Sequence, residues 1–130
     1  MRFMLMMHAP RGSGNWDMPG FSPDDVKALV AHMHSLNRDL KESGEFVIGQ
    51  GLTPPGQARI VRATSAGTPS VTDGPFAETK EFLSGFWIVE VGSAGRAYEI
   101  AARVSATPGP GGVPLNMAVE VREVGTAPRE

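Results

Sequence analysis

The chain has 130 residues, 41% of them hydrophobic, and its 12 basic and 14 acidic side chains give a formal net charge of -2. This length suits one compact domain over residues 1–130, and the scattered basic residues argue against a nucleic-acid surface, because phosphate binding needs clustered Lys and Arg. The absence of cysteine excludes disulfides and thiolate chemistry and favours a cytoplasmic protein, and no apolar run approaches the roughly 18 residues of a transmembrane helix, so no membrane partner is expected.

The first predicted elements are a strand and a long helix. Phe3–Met7 is apolar at every position, which predicts a central strand covered on both faces. After a Gly- and Pro-rich loop over residues 11–20, Ser22-Pro23-Asp24-Asp25 predicts a helix start with Ser22 as its cap. We expect the helix to run to about Ser43, where Gly44 stops it. Its apolar stripe comprises Val26, Leu29, Val30, Met33, Leu36 and Leu40.

Further strands are predicted in the middle of the chain. Phe46–Leu52 contains Gly49 and Gly51, which weaken a strand and favour a sheet edge or a bend. Residues 58–64 and 69–72 are expected to pair as a hairpin. Phe86–Val89 is again apolar at consecutive positions, which predicts a second central strand.

The last predicted elements are a helix and a half-exposed strand. Ser93 is expected to cap the helix, and the buried stripe comprises Ala97, Ile100, Ala101 and Val104. In the last strand, apolar side chains at residues 115, 117, 119 and 121 alternate with Asn116, Ala118, Glu120 and Arg122. This alternation predicts one buried and one exposed face.

The order of these elements predicts an α+β fold. Strand, helix, strand, hairpin, strand, helix, strand is the ferredoxin-like plait of split βαβ units with an inserted β-hairpin. Its two helices can cover one face of the sheet, which leaves apolar side chains on the other face in water. A second copy of the chain is the simplest cover, because a self-complementary apolar patch closes with two-fold symmetry. We therefore expect a homodimer with a crevice at the join.

The run Val71–Val91 carries the most specific motif of the chain. Its residues Asp73-Gly74-Pro75-Phe76 resemble the signature of the DGPF-type branch of the YCII-related (YciI-like) family. The opening MRFMLMMHA and the run Gly44–Leu52 are similar to the same family, so the resemblance covers nearly the whole chain. It implies a ferredoxin-like plait that pairs face to face as a dimeric α+β barrel.

Asp73 is the first candidate catalytic residue, with two interpretations. Its carboxylate either caps the following turn by accepting backbone N–H groups, or it acts as an acid/base group at the mouth of a pocket. The resemblance implies the second role, because members of the family pair an aspartate before a proline with a histidine. The matching histidine position falls nearest Met33, and neither His32 nor His34 is in register, so both are expected at the surface.

His8 is the second candidate catalytic residue, at the end of the first central strand. An imidazole exchanges protons near neutral pH and suits general acid/base catalysis. The alternative is a half-buried histidine that bonds a loop carbonyl. The tail Glu120-Val121-Arg122 also resembles the family pattern, although Glu123 stands where proline is common.

Four further residues are predicted to bind a small molecule in the crevice. They are Phe76, Trp87, Glu90 and Glu120. A carboxylate that loses solvation there has a raised pKa, as a general base requires. Both glutamates are equally suited to cross-strand ion pairs with Arg62 or Arg122.

The segment after the signature is predicted to be helical. Glu78, Lys80 and Glu81 are expected on a solvated helix face, with Phe82 and Leu83 packed inward. Gly109–Gly112 resembles a phosphate-binding loop only in its glycine content. No nucleotide-binding or nucleophile motif is present, so no cofactor and no metal are expected.

Two main functions remain open on the sequence. The first is a cofactor-independent enzyme for a small molecule, with Asp73 and either His8 or Glu120 as acid/base groups. The second is a non-catalytic ligand-binding or accessory protein, for which the resemblance implies a link to an alternative sigma factor without direct DNA contact. A third class, a haem or metal enzyme, needs a histidine directed into the cavity.

Overall fold

The structure, a computed structural model, describes residues 1–10, 20–76 and 80–127. The elements in chain order are strand β1 (Arg2–Pro10), helix α1 (Pro23–Glu42), and strands β2 (Phe46–Gly51), β3 (Arg59–Arg62), β4 (Ser70–Asp73) and β5 (Glu81–Glu90), followed by helix α2 (Ala94–Ser105) and strand β6 (Val119–Glu123). Short 3₁₀ turns lie at Pro55–Gln57 and Pro110–Gly112. The predicted loop over residues 11–20 lies outside the described residues except for Gly20.

The main sheet has four antiparallel strands in the order β2-β5-β1-β6. The two long apolar strands, β1 and β5, are central, as predicted, and β2 is an edge strand. With two helices packed on this sheet, the α+β architecture is compatible with a ferredoxin-like fold. Neither helix in the described ranges combines the length and hydrophobicity needed to cross a bilayer.

Helix α1 begins and ends where the sequence predicts. The Ser22 hydroxyl accepts the N–H of Asp25 at 3.1 Å, and the Asp25 carboxylate accepts the N–H of Ser22 at 2.9 Å. The Ser22 N–H thereby holds the pKa of Asp25 below its usual value. At the other end, Gly44 adopts φ of 78°, and the N–H of Glu45 bonds the carbonyl of Leu40 at 2.9 Å. This left-handed glycine closes the helix.

The core lies between the helices and one face of the main sheet. Its sheet side chains are Phe3, Leu5, Met7, Trp87 and Val89, and its helix side chains are Leu36, Leu40, Ala97, Ile100, Ala101 and Val104. The predicted stripe of α2 is thus confirmed, together with its Ser93 cap. In α1, Val30 is 41% exposed and its assignment to the stripe is wrong. Val30 lies about 120° around the helix from Leu36, beyond the face that meets the sheet.

Two ion pairs fasten the helices. Arg96 of α2 makes two hydrogen bonds of 2.8 Å to the Glu45 carboxylate just before β2. This contact lowers the pKa of Glu45 to about 2 and raises that of Arg96. Arg103 of α2 donates to Asp39 of α1 at 2.8 Å. The first pair closes one rim of the core, since Glu45 retains only 15% of its side-chain exposure.

Two predicted boundaries are wrong. Phe82 and Leu83 were predicted to be the inward-facing residues of a helix, but residues 81–83 are the first part of strand β5. They pair with residues 8–10 of β1. Hydrogen-bonding partners on the long strand β1 outweigh the helical spacing of this segment. Glu78, which was predicted to lie on the same helix, is outside the described residues. The last strand starts at Val119 rather than Leu115. Asn116 has φ of 51°, and this left-handed residue interrupts the extended backbone before β6.

Strands β3 and β4, which lie between β2 and β5 in the sequence, form a separate two-stranded antiparallel sheet. Arg59 lies opposite Asp73, and Val61 lies opposite Val71. The Thr64 hydroxyl donates to the carbonyl of Thr68 at 2.5 Å across the connecting turn. We call this unit the ribbon.

Candidate functional site

The face of the main sheet opposite the helices carries the candidate site, and we call it the open face. Residues opposite each other on antiparallel strands share a face, so the strand pairing assigns to it Arg2, Met4, Met6, His8, Ile48, Gln50, Leu83, Phe86, Ile88, Glu90, Glu120 and Arg122. Met4, Met6, Phe86 and Ile88 are half-buried, and Ile48 is 37% exposed. Neither α1 nor α2 packs against this face. It is therefore an apolar surface with charged side chains at its margins.

His8 and Glu120 meet on the open face. Glu120 of β6 lies opposite Met6 of β1, and His8 is the next residue of β1 on the same face. Nε2 of His8 lies 3.0 Å from Oε1 of Glu120, although the two residues are 112 positions apart in the chain. Their side chains are 30% and 54% exposed. The structure thus joins two residues that the sequence offered only as separate candidates.

A bulge in β5 provides an apolar neighbour for His8. Gly85 pairs with Met7 but Leu83 pairs with His8, so Ser84 is an extra residue between them. The Ser84 hydroxyl donates to the carbonyl of Met7 at 3.0 Å. In a regular ladder Ser84 would face His8 and Leu83 would point toward the helices. The apolar pattern alone does not reveal Leu83, although Gly85 inside a strand-like run is a known signal of a bulge.

Glu90 lies on the same face but at its other end. Its carboxylate accepts a 2.8 Å hydrogen bond from Nε of Arg2 and lies 3.5 Å from the N-terminal amine. The Arg2 hydrogen bond, and then the amine charge, hold the pKa of Glu90 below its usual value. The expectation of a raised pKa at this residue is therefore wrong. A carboxylate held ionised by two cations is an ion-pair partner and a poor base.

Asp73 lies on the ribbon at the end of β4. Its Oδ1 is 3.8 Å from Nε of Arg59, and its side chain is 95% exposed. The capping interpretation predicted that the next backbone N–H groups bond this carboxylate. The N–H of Gly74 donates instead to the carbonyl of Ala58 at 2.9 Å. Pro75 has no N–H to offer. The described contacts join Asp73 to Arg59 and to neither His8 nor Glu120.

The two predicted aromatic ligand contacts occupy different environments. Trp87 is 5% exposed and belongs to the core on the helix-covered face, where its Nε1 donates to Asn37 Oδ1 at 2.7 Å. Phe76 is 60% exposed and lies at the end of a described segment, before residues 77–79. Trp87 therefore lies on the face of the main sheet opposite the His8–Glu120 pair.

The remaining histidines lie on α1. His34 is exposed, as expected, but His32 is half-buried and its Nε2 lies 2.8 Å from the carbonyl of Arg103. The packing of α1 against α2 explains this difference. Within residues 1–10, 20–76 and 80–127, no group of three His, Cys, Asp or Glu side chains is placed to bind one metal ion.

Two open concavities lie on the described surface, away from the His8–Glu120 pair. One of about 570 Å³ lies along α1 and includes His34, Arg38 and Lys41. The other, of about 450 Å³, lies between α2 and the β6 edge and includes Tyr98 and Met117. Neither of these two concavities includes a residue that the strand pairing assigns to the open face.

Two comparisons with known proteins find similar sequences. A model of the YCII-related domain matches residues 1–113. An uncharacterized protein of Rhizobium meliloti is 34% identical over 85 residues, which are 65% of this chain and 68% of that protein. His8 and Asp73 lie within the matched domain, whereas Glu120 follows its end.

Proposed function

The chain belongs to the YCII-related domain family, and on this premise we propose that it is a cofactor-independent enzyme that moves a proton on a small, largely apolar molecule. The observation that carries this proposal is the 3.0 Å contact between His8 and Glu120 on the open face. His8 is the acid/base group, and Glu120 is its partner. Within the family we place the chain in the DGPF-type branch on the strength of residues 73–76.

The carboxylate gives the imidazole a defined orientation. An ionised Glu120 only accepts hydrogen bonds, so Nε2 of His8 is the nitrogen that carries a proton toward it. In the neutral imidazole, Nδ1 then keeps its lone pair and is the atom able to take a proton from a substrate. The positive charge that forms on the ring is stabilised by Glu120. His8 is thus a general base whose orientation is fixed by a neighbouring carboxylate, that of Glu120.

The surroundings of the pair favour an apolar substrate. Met6 lies between the positions of His8 and Met4 on β1, Leu83 lies opposite His8, and Phe86 lies opposite Met6. Unbranched methionine side chains adapt to ligands of different shape and make favourable contacts with aromatic rings. A substrate held there contacts carbon and sulfur atoms on most sides and meets one proton-transfer group.

A second copy of the chain completes the site. The open face is apolar and neither helix covers it, and a two-fold partner is the simplest cover. Two sheets paired in this way form a dimeric α+β barrel, in which the ribbon is an insertion into the ferredoxin-like plait. The partner excludes water from His8 and Glu120, which strengthens their electrostatic interaction.

One observation favours a second candidate function, a non-catalytic ligand-binding or accessory protein, with an alternative sigma factor as one associated system. Asp73, which matches the catalytic aspartate that the family resemblance implies, pairs with Arg59 rather than with a histidine. In this function the open face holds a ligand and no proton is transferred.

The test measures proton exchange with solvent. Wild-type protein is incubated in D2O with a panel of small apolar carbonyl compounds and phenols, and deuterium uptake at carbon is followed by mass spectrometry. We expect exchange with at least one compound and a loss of about 100-fold or more in His8→Gln and Glu120→Gln. His34→Gln, an exposed histidine on α1, is the matched control and should behave as wild type.

Two outcomes would contradict the enzymatic proposal. Exchange that survives both substitutions would show that other residues perform the chemistry. Compounds that bind the wild-type protein, as seen by saturation-transfer NMR, but exchange no proton would favour the ligand-binding function instead.

A further inference from the structure

We propose that Arg122 of β6 binds a carboxylate group of the substrate, so that the ligand of the open face is an apolar molecule with one negative charge. This inference rests on the proposed function, because it places the anionic end of the molecule beside the His8–Glu120 pair. It narrows the substrate class to small organic acids and adds a substrate-binding residue to the site.

Arg122 lies on the open face next to the proton-transfer pair. It is opposite Met4 of β1, whereas Glu120 is opposite Met6, so both β6 side chains leave the sheet on the same side. Same-face neighbours on one strand are about 6.8 Å apart, and Nε2 of His8 lies against the Glu120 carboxylate. A small molecule in contact with His8 is therefore long enough to reach the guanidinium as well.

The guanidinium of Arg122 has no anion of its own in the part of the chain that the structure describes. The same-face carboxylate of β6, that of Glu120, is bonded to His8 at 3.0 Å. Glu123 lies opposite Phe3, a core residue, and so belongs to the helix-covered face. Among the described residues, none makes an ion pair or a side-chain hydrogen bond with Arg122. Its side chain is exposed and accessible to a ligand.

Arg2, the other arginine of the open face, already has its anion. Its Nε donates to the Glu90 carboxylate at 2.8 Å, and this bond is the main reason that the pKa of Glu90 is lowered. A ligand carboxylate at Arg2 would have to displace Glu90, whereas at Arg122 it displaces only water. The cation left for a ligand on this face is therefore Arg122.

The row of side chains that crosses the sheet at Arg122 is apolar. Met4 lies opposite Arg122, Ile88 lies opposite Met4, and Ile48 lies opposite Ile88 on β2. None of these side chains offers an anionic oxygen. An apolar ligand body that lies over this row excludes water from the guanidinium, which strengthens the attraction between the guanidinium and a carboxylate.

A single guanidinium matches a carboxylate better than a phosphate. Arginine presents a planar fork of N–H groups that meets both oxygens of a carboxylate. A phosphate monoester carries about 1.5–2 negative charges at pH 7, and the carboxylate of Glu120, one same-face position away from Arg122, repels the surplus charge. The charges on the face therefore favour a monoanion.

The test measures how the full chain binds keto acids and their methyl esters. Levulinate, 5-oxohexanoate and 4-acetylbenzoate each combine an apolar body, a carboxylate and C–H groups that a base can deprotonate beside a ketone. Their methyl esters have a similar shape but no charge. We expect the wild type to bind at least one acid about tenfold or more tightly than its ester in NMR titrations, because hydrogen bonds between charged groups are the stronger ones. Added salt should weaken this preference.

Variants assign the preference to one side chain. Arg122→Gln should remove the preference for acid over ester, and Arg122→Lys should keep part of it, because lysine retains the charge but lacks the fork. Arg62→Gln is the matched control, since Arg62 is an exposed arginine on β3, and it should leave the preference unchanged. Circular dichroism verifies that each variant is folded.

Methionine methyl groups locate the bound acid. Met4 and Met6 lie on the open face, whereas Met7 is 8% exposed and belongs to the core. In protein labelled with carbon-13 at these methyl groups, an acid bound between Arg122 and His8 should shift the signals of Met4 and Met6 and leave that of Met7 in place. Shifts confined to other methionines would overturn the inference.

The outcomes separate this inference from the proposed function. If the acids bind through Arg122 but take up no deuterium from D2O, the enzymatic proposal is wrong and Arg122 stands as a ligand-binding residue. If deuterium uptake depends on His8 but is equal for acids and esters, in wild type and Arg122→Gln alike, the enzymatic proposal stands and this inference is wrong.

Two further results would overturn the role of Arg122. One is that no acid binds more tightly than its ester, including the case in which neither binds. The other is that 4-acetylphenyl phosphate binds more tightly than 4-acetylbenzoate, which would exclude the preference for a monoanionic carboxylate.

Discussion

The two faces of the main sheet use alternate residues of the same strands, yet they meet different surroundings. On the helix-covered face, Leu5 and Val89 are fully buried, whereas their neighbours Met4, Met6 and Ile88 on the open face are only half-buried. All five side chains are apolar. The apolar composition of a strand therefore indicates how much of its surface must be shielded from water. The number and position of the helices decide which face of the sheet they bury.

The largest expected difference between the faces is in the free energy of unfolding. Leu5→Ala should lower it by about 2–5 kcal/mol, because it leaves a cavity in the core. Met6→Ala removes a half-exposed side chain and should cost about 1 kcal/mol in the isolated chain. Urea denaturation at several protein concentrations measures both. If a second copy covers the open face, the cost of Met6→Ala should grow with concentration; equal costs of both substitutions in dilute solution would contradict the comparison.

A second prediction tests how tightly the covered face is packed. A Cβ built on Gly49 would lie 2.8 Å from Cδ1 and Nε1 of Trp87, so Gly49→Ala must displace the indole from Asn37. We expect a loss of about 1–3 kcal/mol from overpacking. Gly51→Ala, where nothing lies within 4 Å of the added carbon, is the control in the same strand. Similar melting temperatures for the two variants would show that Trp87 can move freely.

A third prediction concerns the ion pair that closes the rim of the covered face. Folding lowers the pKa of Glu45 from its ordinary 4.5 to about 2, chiefly through the Arg96 hydrogen bonds. A carboxyl group with a depressed pKa stabilises the fold above its unfolded pKa, and this contribution is lost as pH falls through the folded value. The free energy of unfolding of the wild type should therefore exceed that of Glu45→Gln by about 1–2 kcal/mol at pH 6. This difference should close between pH 4.5 and 2.

Equilibrium unfolding across this pH range provides the measurement. Glu99→Gln is the matched control, since Glu99 lies 3.5 Å from the same arginine but is 71% exposed. Its effect should be small throughout. A constant gap between wild type and Glu45→Gln from pH 6 to pH 2 would exclude the pair as its source.

The smallest expected effect is on the ribbon. Asp73 is 95% exposed and its arginine partner is 3.8 Å away, so Asp73→Asn should change the free energy of unfolding by less than about 0.5 kcal/mol. Thermal unfolding of the monomeric variant checks this value, with Asp24→Asn on the exposed first turn of α1 as a comparison. A loss above about 1 kcal/mol would point to a capping role for the carboxylate.

Local signals in the sequence are enough to predict much of the fold. The boundaries of α1 follow from Ser22, Asp25 and Gly44, whose roles depend on residues within one helical turn. The central position of β1 and β5 follows from runs without polar residues. Helix α2 is equally predictable, because its four buried side chains recur at helical spacing.

The start of β5 and the pairing of His8 with Glu120 are not predictable in this way. Residues 81–83 have helical spacing and become a strand only because β1 extends far enough to pair with them. The topology predicts that the first and last strands are neighbours, but a shift of one residue in their register would turn Glu120 to the other face. That register is set by packing over the whole sheet, and no short segment encodes it.

Ser84 also has a consequence for chain length. It is the one residue that β5 carries in excess of β1 at the bulge, so a relative lacking a residue here could keep Gly85 opposite Met7 and Leu83 opposite His8. Insertions elsewhere in β5 would reverse the alternation and exchange the residues on its two sides. An alignment gap at Ser84 is therefore compatible with an unchanged open face. A gap two or three residues further along β5 would place different side chains on this face, and we expect it only in relatives with a different ligand.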